Sequence, residues 1–143
     1  NLYFIGMMND VDKSIDAFDL ALRRRFKWIR KDCDYEVIEN EVKFRKEDHF
    51  TNIKQYRKAC EALNNFISDE LGMGKSYEFG HSFFMKITAI ACAKNISTKN
   101  LENLFQLHLR PTLKEYFRAM FAESELEKQL DRALETFVKP LKQ

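Results

Sequence analysis

Downstream of residue 50, hydrophobic positions recur every three or four residues along the chain. The first series consists of Ile53, Tyr56, Cys60, Leu63, Ile67 and Leu71. This spacing places the apolar side chains on one face of a helix, because an α-helix completes a turn in about 3.6 residues. The series predicts a long amphipathic helix that ends at Gly72 and Gly74.

Three further helices are predicted in the C-terminal half of the chain. Residues 82–92 are largely apolar and predict a buried helix. Ser97 or Thr98 is a suitable cap for the next helix, which Pro111 kinks or restarts. A last helix is predicted from about Ser124 to Val138, with inward positions at Leu126, Leu130, Leu134 and Phe137. Residues 50–143 are therefore predicted to form a helical bundle.

Residues 1–30 follow a different pattern. Residues 2–8 are a short apolar run that ends before Asn9, and their length and composition predict a strand buried on both faces. Asp12 is a suitable N-cap for a helix from Lys13 to about Arg24, and Phe26–Ile29 form a second, short candidate strand. Because a strand buried on both faces needs neighbouring strands, we expect these residues to be the remnant of a larger α/β core.

Between these two regions, residues 31–49 are rich in charged side chains. They show a weak alternation of apolar positions at Tyr35, Val37, Val42 and Phe44, which predicts a connector with some strand character. The predicted organisation is therefore an α/β remnant at residues 1–30, a charged connector at 31–49 and a helical region at 50–143. The chain has only 4 Gly and 2 Pro, too few for a loop-rich all-β domain.

Composition narrows the classes of function. The 24 basic and 22 acidic side chains leave a net charge of +2, which gives no whole-chain case for binding nucleic acid or a membrane. No apolar run reaches the ~18 residues of a membrane span. Cys33, Cys60 and Cys92 are widely spaced and lack the pairing typical of a zinc site. We therefore expect free thiols in a reducing cytoplasm and no metal site.

Three motifs follow one another along the chain. They are Ala21-Leu22-Arg23-Arg24-Arg25-Phe26, Gly80-His81-Ser82-Phe83-Phe84-Met85 and Arg110-Pro111-Thr112-Leu113-Lys114-Glu115-Tyr116-Phe117. In these motifs and in their order, nearly the whole chain resembles AAA+ nucleotide hydrolases, most closely the McrB type of modification-dependent restriction systems. The resemblance implies a mainly α fold, with the remnant of an AAA+ α/β core (one or two short strands and a helix) followed by a helical-bundle lid.

The resemblance also implies catalytic roles for residues in the N-terminal part. Asn9 would be the sensor-1 residue, whose carboxamide can hydrogen-bond the γ-phosphate and the attacking water at the end of a strand. Arg25, and after it Arg24, would act as an arginine finger on the nucleotide of a neighbouring subunit. The alternatives are that Asn9 is a turn residue and that the arginines only complement the helix dipole.

In the lid, the resemblance places His81 and Ser82 near the nucleotide. Some AAA+ proteins have a cationic sensor-2 residue in the lid, but the usual arginine is not evident in this sequence. The alternatives are that His81 is a packed histidine and that Ser82 caps the helix that begins beside it.

The sequence lacks the elements that bind phosphate in cis. No Gly-x-x-x-x-Gly-Lys-Ser/Thr occurs, because Gly74-Lys75-Ser76 has no leading glycine, and no apolar strand ends in an acidic pair for Mg²⁺. The resemblance implies that the full-length protein is a nucleoside triphosphatase that uses GTP or ATP with Mg²⁺, and that the missing elements lie outside this chain. We expect this chain alone to bind no nucleotide and to be inactive.

Implied partners are further copies in a homo-oligomeric ring, a nuclease subunit of the McrC type, and DNA bound through a domain outside this chain. A competing hypothesis is a non-catalytic helical protein-interaction module. A weaker one is a nucleic-acid-binding domain that uses the arginine run with Lys54, Arg57 and Lys58, although these helix positions alternate with acids like an ordinary solvated face.

Overall fold

The computed structural model describes residues 2–7, 24–45 and 48–142 of the chain. The chain divides into two compact units, Asn1–Lys31 and Asp32–Gln143. In the described part of the first unit, residues 2–7 and 27–31 have neither helix nor strand, and residues 24–26 form a turn. The apolar side chains of residues 2–7 are almost fully exposed.

The strands predicted over residues 2–8 and Phe26–Ile29 are therefore not observed where the structure describes this unit. A strand is stabilised by hydrogen bonds to a neighbouring strand, and no paired strand lies among these residues. The composition of the two runs is typical of strands, but composition without a pairing partner does not form a sheet. The helix predicted from Lys13 lies almost entirely outside the described residues.

The second unit is helical, which confirms the prediction of a mainly α fold. Its α-helices are α1 (Tyr35–Glu41), α2 (Ile53–Asn65), α3 (His81–Met85), α4 (Ile87–Ile90), α5 (Thr98–Leu104), α6 (Arg110–Arg118) and α7 (Glu123–Val138). A π-helical turn, Phe66–Glu70, continues α2, and a second one, Phe105–Leu109, joins α5 to α6. Short 3₁₀ turns lie at Lys75–Tyr77 and Lys139–Leu141. The described residues contain a single isolated β-bridge, between Lys43 and His49.

Helix α1 occupies residues 35–41 of the segment that was predicted to be a connector with some strand character, so the strand prediction is wrong there. The bridge between Lys43 and His49 is the strand-like pairing in the described part of this segment. The Asp34 carboxylate caps the helix by accepting hydrogen bonds from the backbone N–H groups of Glu36 and Val37. Ile38 and Val42, four residues apart, are both fully buried. The helical spacing of this pair and the aspartate cap outweigh the weak alternation.

The core is formed by the inner faces of the longer helices. Helix α2 packs along α7, which also contacts α5 and α6. The centroid of the Phe137 ring on α7 lies 6.2 Å from that of Phe84 and 6.5 Å from that of Phe105. Leu126, Leu130 and Phe137 are buried as predicted, whereas Leu134 is only partly buried.

Three local signals in the sequence match the structure. Gly72 and Gly74 follow the first long helix with φ angles of 65° and 84°, a region that glycine enters without steric cost. Ser97 caps α5 in a reciprocal capping box with Asn100. Pro111 lies in the first turn of α6, where its missing N–H costs no helical hydrogen bond, so it restarts the helix after the π-helical turn.

Residues 82–92 differ from their prediction, because two short helices replace the single one. Helices α3 and α4 meet at a turn at Lys86. The carbonyl oxygen of Phe84, whose donor in an uninterrupted helix would be the N–H of Thr88, accepts a 2.6 Å hydrogen bond from the buried Tyr56 hydroxyl. A tertiary contact thus competes with the helix at this position.

Across the described ranges, the structure has no helix that combines the length and apolarity needed to cross a bilayer.

Candidate functional site

The candidate catalytic residues belong to the first unit. Asn9 and Arg23 lie outside the described residues. Arg24 and Arg25 lie in the turn at residues 24–26, and both side chains are exposed. This exposure leaves the two guanidinium groups accessible, but their role as fingers stays a prediction.

The candidate lid residues lie side by side at the beginning of α3. His81 is the first residue of the helix and is partly buried, whereas Ser82 is exposed. Gly80 occupies the cap position, and no side chain caps this helix. The alternative interpretation of Ser82 as a helix cap is therefore wrong, and its hydroxyl faces solvent.

The imidazole ring of His81 is held by the backbone of another segment. Its Nδ1 accepts a hydrogen bond of 3.3 Å from the backbone N–H of Asp34, the residue that caps α1. In a neutral imidazole one nitrogen accepts and the other carries the proton, so this contact assigns the proton to Nε2. Within the part of the chain that the structure describes, no protein group is hydrogen-bonded to Nε2. The ring therefore retains one donor for a ligand.

Asn64 on α2 is hydrogen-bonded to residues that flank the contact between His81 and Asp34. This residue was not predicted to belong to the site. Its side chain is fully buried. Its Oδ1 accepts a 2.8 Å hydrogen bond from the N–H of Phe79, while its Nδ2 donates 2.9 Å hydrogen bonds to the Phe79 carbonyl and the Tyr35 hydroxyl. The sequence contained a signal for this role, because Asn64 lies four residues after Cys60 and so places a polar carboxamide on the apolar face of a strongly periodic helix.

A group of two thiols and two phenols lies next to this contact; Cys33 and Tyr35 are partly buried, whereas Cys60 and Tyr56 are fully buried. Burial raises the pKa of the Cys33 thiol to about 12, and the nearby charge of Glu78 adds to the effect. Burial also raises the pKa of the Tyr35 hydroxyl, and the pKa values of Tyr56 and Cys60, which are fully buried, lie well above their ordinary values. These groups are therefore neutral at physiological pH, and they support the structure rather than act as nucleophiles.

This arrangement predicts selective thiol chemistry. At pH 8, iodoacetamide should label Cys92, which is exposed, much faster than Cys33 or Cys60. Because the folded-state pKa of Cys33 is raised, its protonated form stabilises the fold below pH 9. That contribution is lost as the pH rises from about 9 toward 12.

Mass spectrometry of labelled peptides and urea titrations at pH 8 and pH 10 would measure these two effects. Cys33→Ala is the matched control, since it should reduce the loss of stability between the two pH values. Equal labelling rates for Cys33 and Cys92 at pH 8 would contradict the assignment of Cys33 as a partly buried, protonated thiol.

Comparisons with known proteins find similarity over most of the chain. Residues 55–125 match the family model described as McrB, alpha-helical lid domain. The chain is 29% identical over 119 residues to the EcoKMcrB subunit of the type IV methyl-directed restriction enzyme of Escherichia coli strain K12. This similarity covers 82% of the chain and 26% of that subunit, so the chain spans about a quarter of the relative's length. No solved structure matches the chain. The lid match includes Asn64, His81 and Ser82.

Proposed function

Because residues 55–125 match the family model described as McrB, alpha-helical lid domain, we propose that this chain is the C-terminal part of the AAA+ motor of an McrB-type restriction system. The intact protein would hydrolyse GTP or ATP with Mg²⁺ at the interfaces between subunits of a ring. The match to the lid model is the observation that carries the proposal. This match runs from α2 to the beginning of α7, and so includes the two lid motifs of the sequence.

The proposed roles within the chain divide between the two units. Asn9 would orient the attacking water and contact the γ-phosphate. Arg25, with Arg24 as the second candidate, would reach the nucleotide of a neighbouring subunit, where a guanidinium group can bind phosphate oxygens with two hydrogen bonds. The exposure of both arginines is consistent with a contact made across an interface.

In the lid, His81 and Ser82 would contact the bound nucleotide from the beginning of α3. The Nε2–H group of His81 and the exposed hydroxyl of Ser82 are both able to donate hydrogen bonds to phosphate oxygens. The sequence contains no phosphate-binding loop, so the proposed turnover belongs to the intact protein.

The proposed partners follow from the same relationship. The relative is named as a subunit of a methyl-directed restriction enzyme, which supports a role in DNA restriction together with a nuclease subunit of the McrC type. DNA would be bound through a domain outside this chain. The nearly balanced charge of the chain agrees with this division, because a net charge of +2 provides no strong overall attraction to DNA.

Nucleotide turnover by the intact protein tests the proposal. Phosphate release from GTP and from ATP would be measured with Mg²⁺ for the intact protein and for residues 1–143 alone. We expect turnover of one nucleotide by the intact protein and none by the chain alone. If the folded intact protein hydrolyses neither nucleotide, the motor assignment is wrong, and a non-catalytic helical interaction module becomes the better description.

A further inference from the structure

We propose that Asn64 is a positioning residue that fixes the imidazole ring of His81, so that Nε2–H is the donor offered to the phosphates of the nucleotide. Asn64 would act through His81 and would not touch the nucleotide itself. The positioning part rests on the described contacts, whereas the identity of the ligand rests on the proposed function.

The contacts around His81 form a closed circuit. Asn64 holds both backbone polar groups of Phe79, two residues before His81, and also holds the hydroxyl of Tyr35. Tyr35 follows Asp34 in the chain, and the N–H of Asp34 donates to His81 Nδ1. One buried carboxamide thus fixes the segment that carries the histidine and the segment that sets its tautomer.

The carboxamide of Asn64 has little freedom to rearrange. Its oxygen accepts one hydrogen bond and its NH₂ group donates two, at distances between 2.8 and 2.9 Å. No side-chain polar atom buried in the described part of the chain lacks a partner. Loss of the carboxamide would leave buried backbone groups of Phe79 without a donor and an acceptor, so the loop before α3 would shift.

The position of His81 matters because hydrogen-bond recognition depends on geometry. A donor displaced by about 1 Å loses much of its interaction, and catalytic rates can fall about 10²-fold from shifts of that size. Among the residues that the structure describes, His81 is held on its Nδ1 side only. Asn64 is hydrogen-bonded to the backbone of Phe79, two residues before His81, and so fixes the segment that enters α3. The circuit therefore orients a single N–H donor without adding charge.

The first test is the tautomer of His81 in the 143-residue chain, measured by ¹⁵N NMR of the histidine rings. Wild type should show a protonated Nε2 and an unprotonated Nδ1. Asn64→Ala should move both nitrogens toward the averaged signals of a free imidazole. Asn65→Ala is the matched control, because Asn65 is the exposed neighbour on the same helix and should leave the signals unchanged.

Tyr35→Phe is the milder variant, since it removes only one of the three hydrogen bonds of Asn64. It should produce a smaller change in the same direction, and it keeps the test decisive if Asn64→Ala does not fold. Wild-type signals showing protonation at Nδ1 would overturn the inference. His81 signals that are unchanged in a folded Asn64→Ala or Tyr35→Phe variant would also overturn it.

The second test is nucleotide turnover in the intact protein, read as KM and kcat separately. His81→Asn keeps an acceptor near the Nδ1 position but lacks Nε2, so KM should rise about tenfold, as expected for the loss of one hydrogen bond to a charged group. His81→Gln, whose amide can reach the Nε2 position, should recover part of the loss. Asn64→Ala should raise KM in the wild-type background and add nothing in the His81→Asn background.

Equal effects of Asn64→Ala in the two backgrounds would overturn the claim that Asn64 acts through His81. If the NMR signals show the expected tautomer and its dependence on Asn64, but His81→Asn leaves KM unchanged, the contact between His81 and the nucleotide is overturned. Failure of the proposed function would look different, because the wild-type intact protein would then show no turnover at all while the NMR result is unaffected.

Discussion

Replacing Arg25 by alanine in the intact protein is expected to lower nucleotide turnover about 10³-fold or more, with little change in folding stability. The expected size follows from arginine fingers, which contribute roughly 10³- to 10⁵-fold to phosphoryl transfer by stabilising charge on the transferred group. The side chain of Arg25 is exposed, so its removal costs no buried packing. Phosphate release at saturating nucleotide, together with a thermal melt, measures both quantities.

A mixing experiment tests whether Arg25 acts across an interface. Arg25→Ala would be combined with a second variant of the intact protein that lacks its own phosphate-binding lysine. Each variant alone should be inactive. The mixture should recover turnover at interfaces where an Arg25→Ala subunit, which keeps its phosphate-binding lysine, faces a lysine-variant subunit, which keeps Arg25. Arg25→Lys is the matched control and should stay slow, because lysine lacks the planar fork of donors.

Arg24→Ala distinguishes between the two exposed arginines. If Arg24→Ala shows the large loss and Arg25→Ala turns over normally, the order assigned to them is reversed. If both variants turn over normally, neither residue is a finger, and the assignment carried by the motif at residues 21–26 fails.

Replacing Phe137 by alanine is expected to lower the free energy of unfolding of the chain by about 3–5 kcal/mol. The side chain is fully buried on α7, and its ring lies against those of Phe84 and Phe105. Truncation would remove both aromatic contacts and leave a cavity where α7 faces the rest of the bundle. Because domains are stable by about 5–15 kcal/mol in total, the variant should be close to unfolding at 37 °C. Urea titration followed by circular dichroism measures the change.

Glu135→Ala provides the matched control for Phe137→Ala. Glu135 is exposed on the same helix two residues earlier, and its replacement should change the free energy of unfolding by no more than about 0.5 kcal/mol. A loss below about 1 kcal/mol for Phe137→Ala would contradict its place at the centre of the aromatic core.

The helices of the second unit were predictable from the sequence where the apolar side chains that pack into the core lie on one face of a long helix. Helices α2 and α7 show long three- and four-residue repeats, and α5 is capped by Ser97, whose side chain accepts a hydrogen bond from the backbone N–H of Asn100. Helix α1 was not predicted because it is short, and the buried Ile38 and the buried Val42 that follows the helix are embedded in a charged segment. The break at Lys86 lies beside the hydrogen bond from the Tyr56 hydroxyl to the Phe84 carbonyl, a tertiary contact that no local pattern contains.

The candidate site was predictable to a different degree. His81 and Ser82 were selected from a motif, and the structure places them together at the beginning of α3. The partner of His81 is a backbone N–H group, which every residue except proline carries, so no residue type in the sequence marks it. Asn64 could have been found, because a carboxamide on an otherwise apolar helix face must be hydrogen-bonded.

The π-helical turns at Phe66–Glu70 and Phe105–Leu109 have a consequence for how this helical unit can change during evolution. Apolar positions spaced by four drift by about 40° per step on an α-helix, and a wider turn resets that drift. Each turn therefore behaves like a single inserted residue that the helix has absorbed. Related lids are expected to differ by one-residue gaps at these two places, and such gaps preserve the buried face on both sides. Elsewhere in α2 or α6, a one-residue gap would rotate every following side chain out of the core.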